Sequence, residues 1–391
     1  MIAALILGGM VLVVAWMWLR LAKREVSLPI WSTLEVPELA EDESPDVSII
    51  VAAYHQAHQI ERCVQSLLRQ DYPRFELIAV DEGSRDGTWE RLITIEAAED
   101  GALRVLRSDS KGSQAVRQSA ALQQGVAAAR GGWLLFTTAE TFHAPGLLSR
   151  AMAYARLQGL GGLSLAPRDE CRSFWEHVWQ PVAWQYLDLI MPMVRVGEPT
   201  SRGVRASDAF LLISRQAYLK AGGHASVVSN IHPSGAVMRR AKSSGYRVEF
   251  VKAQDLLQTR SYRSFRELWQ GWSRDLYPLL GAHPLLIGAH ALNIWAWAVL
   301  PFAVLVPAFS FGFWGLDGVQ GWWDVALAVC TILAVVTILQ AQSVLRRVHR
   351  QNHLYTATLP LGGLCLGAAA MHALLQGARH EQRSEEKVYR K

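Results

Sequence analysis

The segment Val80-Asp81-Glu82-Gly83-Ser84-Arg85-Asp86-Gly87-Thr88 sets a carboxylate after an apolar run and two glycines around another. At the tip of a strand, such a carboxylate accepts hydrogen bonds from a nucleotide base or ribose, and Gly83 and Gly87 let the backbone come close to a ligand. Taken alone, the pattern is equally an Asp/Gly turn capping a helix. A second segment of chemical interest lies near the end of the polar half. There Phe265, Leu268, Trp269, Trp272 and Leu276 recur at helical spacing with Arg263 and Arg266 among them, which describes an amphipathic helix on a membrane surface.

The elements that must position Asp81 follow from short β-branched runs alternating with longer helical patterns. Val47–Val51, Phe75–Val80, Leu103–Leu106 and Trp133–Phe136 read as buried strands, Ile60–Gln70 and Thr88–Ala98 as helices, and Gly125–Ala129 as the end of another helix. Such alternation implies an α/β domain with a mainly parallel sheet, whose ligand site lies beyond the carboxyl ends of the strands.

The 391 residues are 51% hydrophobic and only 19% charged, too apolar for an ordinary soluble domain and too charged in the middle for a pure membrane bundle. Residues 1 to 19 form an apolar run closed by Arg20, Lys23 and Arg24, long enough to cross about 30 Å of hydrocarbon and lacking the flanks of a cleavable signal. Further apolar stretches at 285–312, 323–343 and 356–376 carry Trp295, Trp297, Trp314, Trp322 and Trp323 as expected interfacial anchors. The positive-inside rule puts the chain after Arg24, and the block Arg346, Arg347, Arg350, on the cytoplasmic side. A crossing at 356–376 would leave the basic tail outside, so that stretch is expected to be the insecure one, re-entrant or interfacial. The net charge of +5 gathers beside the apolar runs and forms no stripe for nucleic acid. Cys63, Cys171, Cys330 and Cys365 are far apart, without metal-ligand spacing, and read as reduced.

Three segments in order resemble the membrane-bound branch of the family-2 glycosyltransferases. They are Pro45-Asp46-Val47-Ser48-Ile49-Ile50-Val51-Ala52-Ala53-Tyr54, then Ser66-Leu67-Leu68-Arg69-Gln70-Asp71-Tyr72-Pro73, then the Asp81 turn. Further likeness runs through Ala129–Phe136, Ser173–Glu176, Gly222-Gly223-His224, Gly245–Val248 and Tyr262–Ser273, so that it spans about residues 45 to 278. The resemblance implies a GT-A fold. It also implies an inverting displacement in which a metal neutralises the donor diphosphate and a base takes the acceptor hydroxyl's proton.

Carried over residue by residue, Tyr54, Asp81, Gly83 and Asp86 fall at the donor site. The metal motif, usually Asp-Ala-Asp, reads Thr138-Ala139-Glu140, leaving Glu140 with Thr138 as a neutral oxygen donor for Mg²⁺ or Mn²⁺. The base motif falls at Pro233-Ser234, neither of which is a carboxylate. His232, whose imidazole titrates near neutrality, and Asp208, an acid gained where the family has none, are the candidate catalytic replacements. In Gln270-Gly271-Trp272-Ser273-Arg274 the resemblance gives Arg274 a phosphate to contact and Trp272 a sugar or lipid face.

The implied protein is a multi-pass membrane enzyme, as in a bacterial inner membrane. It has an anchor at 1–24, a linker at 25–44, a glycosyltransferase domain at 45–278, a membrane region at 279–378 and a basic tail at 379–391. It would move a sugar from a nucleotide-sugar donor, a UDP-sugar by expectation, to a lipid-like acceptor in the membrane. The altered metal and base positions also admit a catalytically inactive relative that binds nucleotide or lipid, or that partners an active paralogue.

Overall fold

The computed structural model describes residues 2–27, 46–99, 101–191, 204–228, 230, 232–281, 283–306 and 319–389. All of the linker expected at 25–44 beyond residue 27, together with Trp314 and the far end of the 285–312 stretch, lies outside them. The chain divides into two compact units. One comprises Pro29–Glu170 and Met191–Ser261; the other comprises Met1–Leu28, Cys171–Ile190 and Tyr262–Lys391.

The first unit is built on a seven-stranded sheet. In chain order its main elements are β1 (Val47–Ala53), α2 (Ile60–Leu68), β2 (Phe75–Asp81), α3 (Thr88–Ala98), β3 (Leu103–Arg107), α4 (Gln114–Ala128), β4 (Trp133–Thr138), β5 (Thr141–His143), α5 (Leu147–Leu157), β6 (Gly162–Ala166), β7 (Arg168–Asp169), β8 (Leu211–Ser214), α7 (Arg215–Lys220), α8 (Pro233–Ser243), β9 (Val248–Lys252) and β10 (Leu257–Thr259). The strand order is β3-β2-β1-β4-β8-β6-β9, and β8 runs antiparallel to both its neighbours while the other pairs are parallel. A small second sheet has the order β5-β10-β7.

All seven residues of β1 are buried, as expected of a strand covered on both faces. Successive residues feed opposite cores: Ile49, Val51 and Ala53 pack with Cys63, Leu67 and Leu135, whereas Ile50 and Ala52 pack with Ile78, Leu122 and Phe136. Gly131 is required by close approach, because a Cβ there would lie 2.6 Å from the Ser48 amide nitrogen. The register pairs Ala53 with Asp81, Asp81 with Arg107, and Ala52 with Thr138. Four strand tips therefore end along one carboxyl edge.

The second unit is helical: α1 (Ile2–Ser27), α6 (Phe174–Ile190), α9 (Phe265–Leu279), α10 (Pro284–Ala298), α11 (Leu300–Val306), α12 (Val319–Val348) and α13 (Leu359–Tyr389). Among the described residues three stretches, Leu5–Val26, Val325–Val348 and His353–Gln376, are long and apolar enough to cross a membrane. The stretch expected to be insecure, 356–376, falls within one of these three. The interruption is instead between α10 and α11, which meet at a 52° bend. Its cause is Pro301, which has no amide to give the Trp297 carbonyl; Trp18 Nε1 donates to that carbonyl at 3.1 Å in its place.

The same exchange of partners occurs in α6, where Pro181 leaves the His177 carbonyl open and Arg346 Nη2 donates to it at 3.1 Å. Trp297, expected as an interfacial anchor, is instead 1% exposed and stacked on Trp18 at 4.2 Å, because the bend turns it into the helix packing. Most of the apolar stripe of α9 is likewise covered by protein: Leu268, Trp272 and Leu276 are buried, and Trp269 packs against Trp179 of α6 and His372 of α13, while Phe265 at its start stays exposed. Trp272 packs edge-on against Trp184 and presents no open face.

Candidate functional site

The Asp81 turn is held from within. Asp81 is fully buried, and its carboxylate accepts from the amides of Gly83 (3.2 Å) and Ser84 (3.1 Å), with Arg107 Nε 3.8 Å away. Gly83 at φ +82° and Gly87 at φ +93° take the left-handed conformations that let the turn close. Asp86 is exposed yet committed. Its oxygens accept from the Ala57 amide (3.1 Å) and from the amide and hydroxyl of Thr88 (3.1 and 2.6 Å). Burial opposes ionisation of Asp86, but these hydrogen bonds outweigh it and hold the carboxyl below its usual value. With Ser84 Oγ receiving the His55 amide and Thr88 Oγ1 the Gln56 amide, the turn fastens the loop after β1. Asp86 thus clamps two strand-tip loops together.

The fastened loop carries Tyr54, whose ring stacks on His55 at 4.0 Å and lies 4.3 Å from the Arg117 guanidinium of α4. His55 adopts φ +55°, a strained conformation for a residue with a Cβ.

Glu82, Arg117 and His55 were not singled out from the sequence. Glu82 is 6% exposed, and its Oε2 has no hydrogen-bond partner. Burial pushes its carboxyl up to about 7; Arg117 opposes the rise, and the negative charges of Asp81 and Glu140 add to it. The signal available in the sequence was the pair of adjacent carboxylates at the strand tip.

The turn Thr138-Ala139-Glu140 is anchored beneath by a buried polar network. Thr137 Oγ1 donates to the Ala209 carbonyl (2.7 Å) and Thr141 Oγ1 to the Thr138 carbonyl (2.7 Å). Both hydroxyl protons are thereby committed, so His143 Nε2, at 3.1 and 2.9 Å from the two oxygens, must be the donor to them. Burial drives His143 down to about 3, which keeps it neutral. Cys63 completes the network 3.5 Å from the Thr138 carbonyl, and burial pushes its thiol up to about 12.

Asp208 and His232, 24 residues apart, are brought together. His232 Nδ1 lies 3.3 Å from Asp208 Oδ2, and Asp208 Oδ1 accepts the Ser234 amide at 3.0 Å. Arg274 belongs to the other unit, on α9, and is paired with Asp275 at 2.7 Å.

Residues 48–198 match the sequence model described as glycosyl transferase family 2. Among curated proteins, glycosyltransferase AglE of Haloferax volcanii is 34% identical over 77 residues, 19% of this chain and 25% of that protein. Succinoglycan biosynthesis protein ExoO of Rhizobium meliloti is 31% identical over 119 residues, 30% of this chain and 32% of that protein. These matches thus span about a quarter to a third of the relatives' length. Among solved structures, mannosyltransferase PcManGT from Pyrobaculum calidifontis, in complex with GDP-Man and Mn²⁺, superposes with a TM-score of 0.53 at 18% identity. The superposition covers 96% of this chain and 97% of that one.

Proposed function

We propose that the chain, whose residues 48–198 match the family-2 glycosyltransferase model on a GT-A fold, transfers a sugar from a nucleoside-diphosphate donor to the hydroxyl of a lipid-like membrane acceptor, with inversion. The observation that carries this reading is the register that ends Ala53, Asp81, Arg107 and Thr138 along one carboxyl edge, where an α/β sheet binds its ligand. In this reading the Tyr54 loop and the turn from Asp81 through Gly83 to Asp86 hold the nucleotide. The bound GDP-Man and Mn²⁺ of the Pyrobaculum mannosyltransferase support a nucleotide-sugar donor and a divalent cation.

The residues at the edge suit such an ion. Glu140 and Thr138 are hard oxygen donors of the kind such an ion takes, and Asp81 and Glu140 make the surroundings of Glu82 negative. Glu140 and Thr138 would hold Mg²⁺ or Mn²⁺, which when bound supplies positive charge to the departing diphosphate. Thr138, where the family keeps an acid, makes that hold weaker.

Three apolar helices long enough to cross a bilayer favour an acceptor that resides in one. With Arg20, Lys23 and Arg24 following the first, the sheet-bearing unit is cytoplasmic.

The test uses detergent-purified full chain, a panel of labelled UDP- and GDP-sugars, membrane lipid extract, and Mn²⁺ present or absent. Label appearing in the lipid fraction is expected. Failure to bind any donor, with or without Mn²⁺, overturns the reading. Binding without transfer would favour the inactive relative that Thr138, Pro233 and Ser234 also suggest.

A further inference from the structure

Within the helical unit, the end of α12 meets the ends of α1 and α6, and three side chains able to ligate a metal converge there. Glu25, Asp188 and His349 come from distant segments of the chain, yet one ligand atom of each lies within 4.8 Å of the others.

Helix packing brings them together. α1 and α12 run parallel: toward their starts a Cβ on Gly8 would stand 3.6 Å from Leu327 Cδ1, and at their ends Glu25 Oε2 stands 3.8 Å from His349 Nε2. The His349 amide donates to the Leu345 carbonyl at 2.9 Å, which fixes its backbone. The chain turns away immediately afterwards, with Arg350 at φ +52° and the Gln351 amide on the Arg346 carbonyl at 2.7 Å. Two side chains from the other helices hold α6 in place. Arg346 Nη2 donates to the His177 carbonyl at 3.1 Å, and Arg24 Nη2 donates to the backbone carbonyl of Asp188 itself.

Glu25 is 3% and Asp188 2% exposed, and the His349 side chain 13%. Carboxylates that share so dry a corner repel each other unless positive charge joins them. Arg24 approaches Glu25 Oε1, at 3.5 Å, and it is Oε2 that faces the imidazole. At 3.8 Å that approach is too long for a hydrogen bond. It matches instead two donors of one ion, since bonds of about 2.1 Å at a tetrahedral or somewhat wider angle set donors roughly 3.4–3.8 Å apart.

We infer that Glu25, Asp188 and His349 bind one divalent transition-metal ion of the zinc class, which clasps α1, α6 and α12 together at the end of α1 that carries Arg20, Lys23 and Arg24. One imidazole and two carboxylates make the mixed nitrogen and oxygen set that Zn²⁺ takes, whereas Mg²⁺ and Ca²⁺ take oxygen. Water completes the coordination. The site lies wholly in the helical unit, whereas Glu140 and Thr138 belong to the other. It is therefore independent of whether the chain transfers sugar.

The experiment strips detergent-purified full chain with EDTA, reloads it with Zn²⁺, removes unbound metal by gel filtration and counts bound ions by plasma mass spectrometry. Glu25→Gln, Asp188→Asn and His349→Gln should each retain one equivalent less than wild type, and Glu140→Gln should retain the ion that these three lose. Reloaded wild type should melt above its stripped form by a margin that grows with free Zn²⁺, and that margin should shrink in the three variants. Co²⁺ loaded in place of Zn²⁺ should give a visible absorption that His349→Gln alters. Cooperative melting of the stripped variants shows that they fold, and any one that does not leaves the other two to carry the test. Equal metal content in wild type and His349→Gln, or a stripped chain that melts level with the reloaded one, overturns the site and makes the corner an ion-pair network of Arg24, Glu25 and His349.

Discussion

Replacing Glu82 with glutamine removes a charge that the folded state disfavours. The carboxyl stands at about 7 in the fold against an ordinary 4.5, a difference of about 2.5. Between those two values the native protein keeps a proton that the unfolded chain has released, so stability falls as pH rises through that window. Below about 4.5 the penalty is absent, and above about 7 it is fully present. At about 1.4 kcal/mol for each step, the full penalty is on the order of 3 kcal/mol, undiminished by solvent because the side chain is only 6% exposed. For a folding unit of this size, that corresponds to roughly 6–12 °C in melting temperature. Thermal melting of wild type and Glu82→Gln at pH 5 and pH 8, without donor or divalent cation, reads the effect. The variant should melt well above wild type at pH 8 and nearly level with it at pH 5. An equal shift at both pH values, or a variant less stable at pH 8, would refute the account of Glu82 as a buried carboxylate in a negative field.

Asp81→Ala should weaken nucleotide binding by about 1–3 kcal/mol in calorimetry, since a charged acceptor is lost together with the two amide contacts that shape its turn. Thr138→Asp should tighten Mn²⁺ binding by about 10-fold or more, followed by the electron paramagnetic resonance of free Mn²⁺ in titration, because it adds a hard anionic oxygen beside Glu140. Arg346→Met should cost less stability in a Pro181→Ala background than alone, by on the order of 1 kcal/mol in a double-mutant melting cycle, because the backbone amide that the alanine restores can satisfy the His177 carbonyl from within α6. A topology reporter inserted at Gly101 should read cytoplasmic; an extracytoplasmic signal would reverse the orientation assigned from Arg20, Lys23 and Arg24.

What the sequence disclosed and what it hid divide along physical lines. Apolar, β-branched runs such as Val47–Val51, broken only by Ser48, announced strands buried on both faces, and α3 begins and ends where its pattern does, at Thr88 and Ala98. The Asp81 turn was legible because glycines and carboxylates at a strand end have few other uses. Contacts between distant segments were not legible. Nothing in the spacing says that Asp208 caps the turn holding Ser234, or that Arg117 comes to lie over Tyr54. Periodicity showed that α9 has an apolar stripe, yet could not say whether lipid or Trp179 and His372 would cover it. Glu82 stood in plain view, but two of the charges that act on it, Arg117 and Glu140, are more than thirty residues away in the chain.

Two prolines inside the helical unit, Pro181 and Pro301, each leave a carbonyl that a distant side chain meets, and the place where it is met sets an order of assembly. The carbonyl freed in α10 is answered by Trp18, 279 residues earlier in the chain, so when that helix leaves the ribosome its partner is already made. The carbonyl freed in α6 is answered by Arg346, 169 residues later, and must wait. Until α12 has been synthesised, α6 carries an open backbone group that is tolerable in water and costly in hydrocarbon. Biogenesis therefore has a built-in late step. Truncation before Arg346 should leave α6 unable to settle among apolar neighbours, however complete the sheet already is.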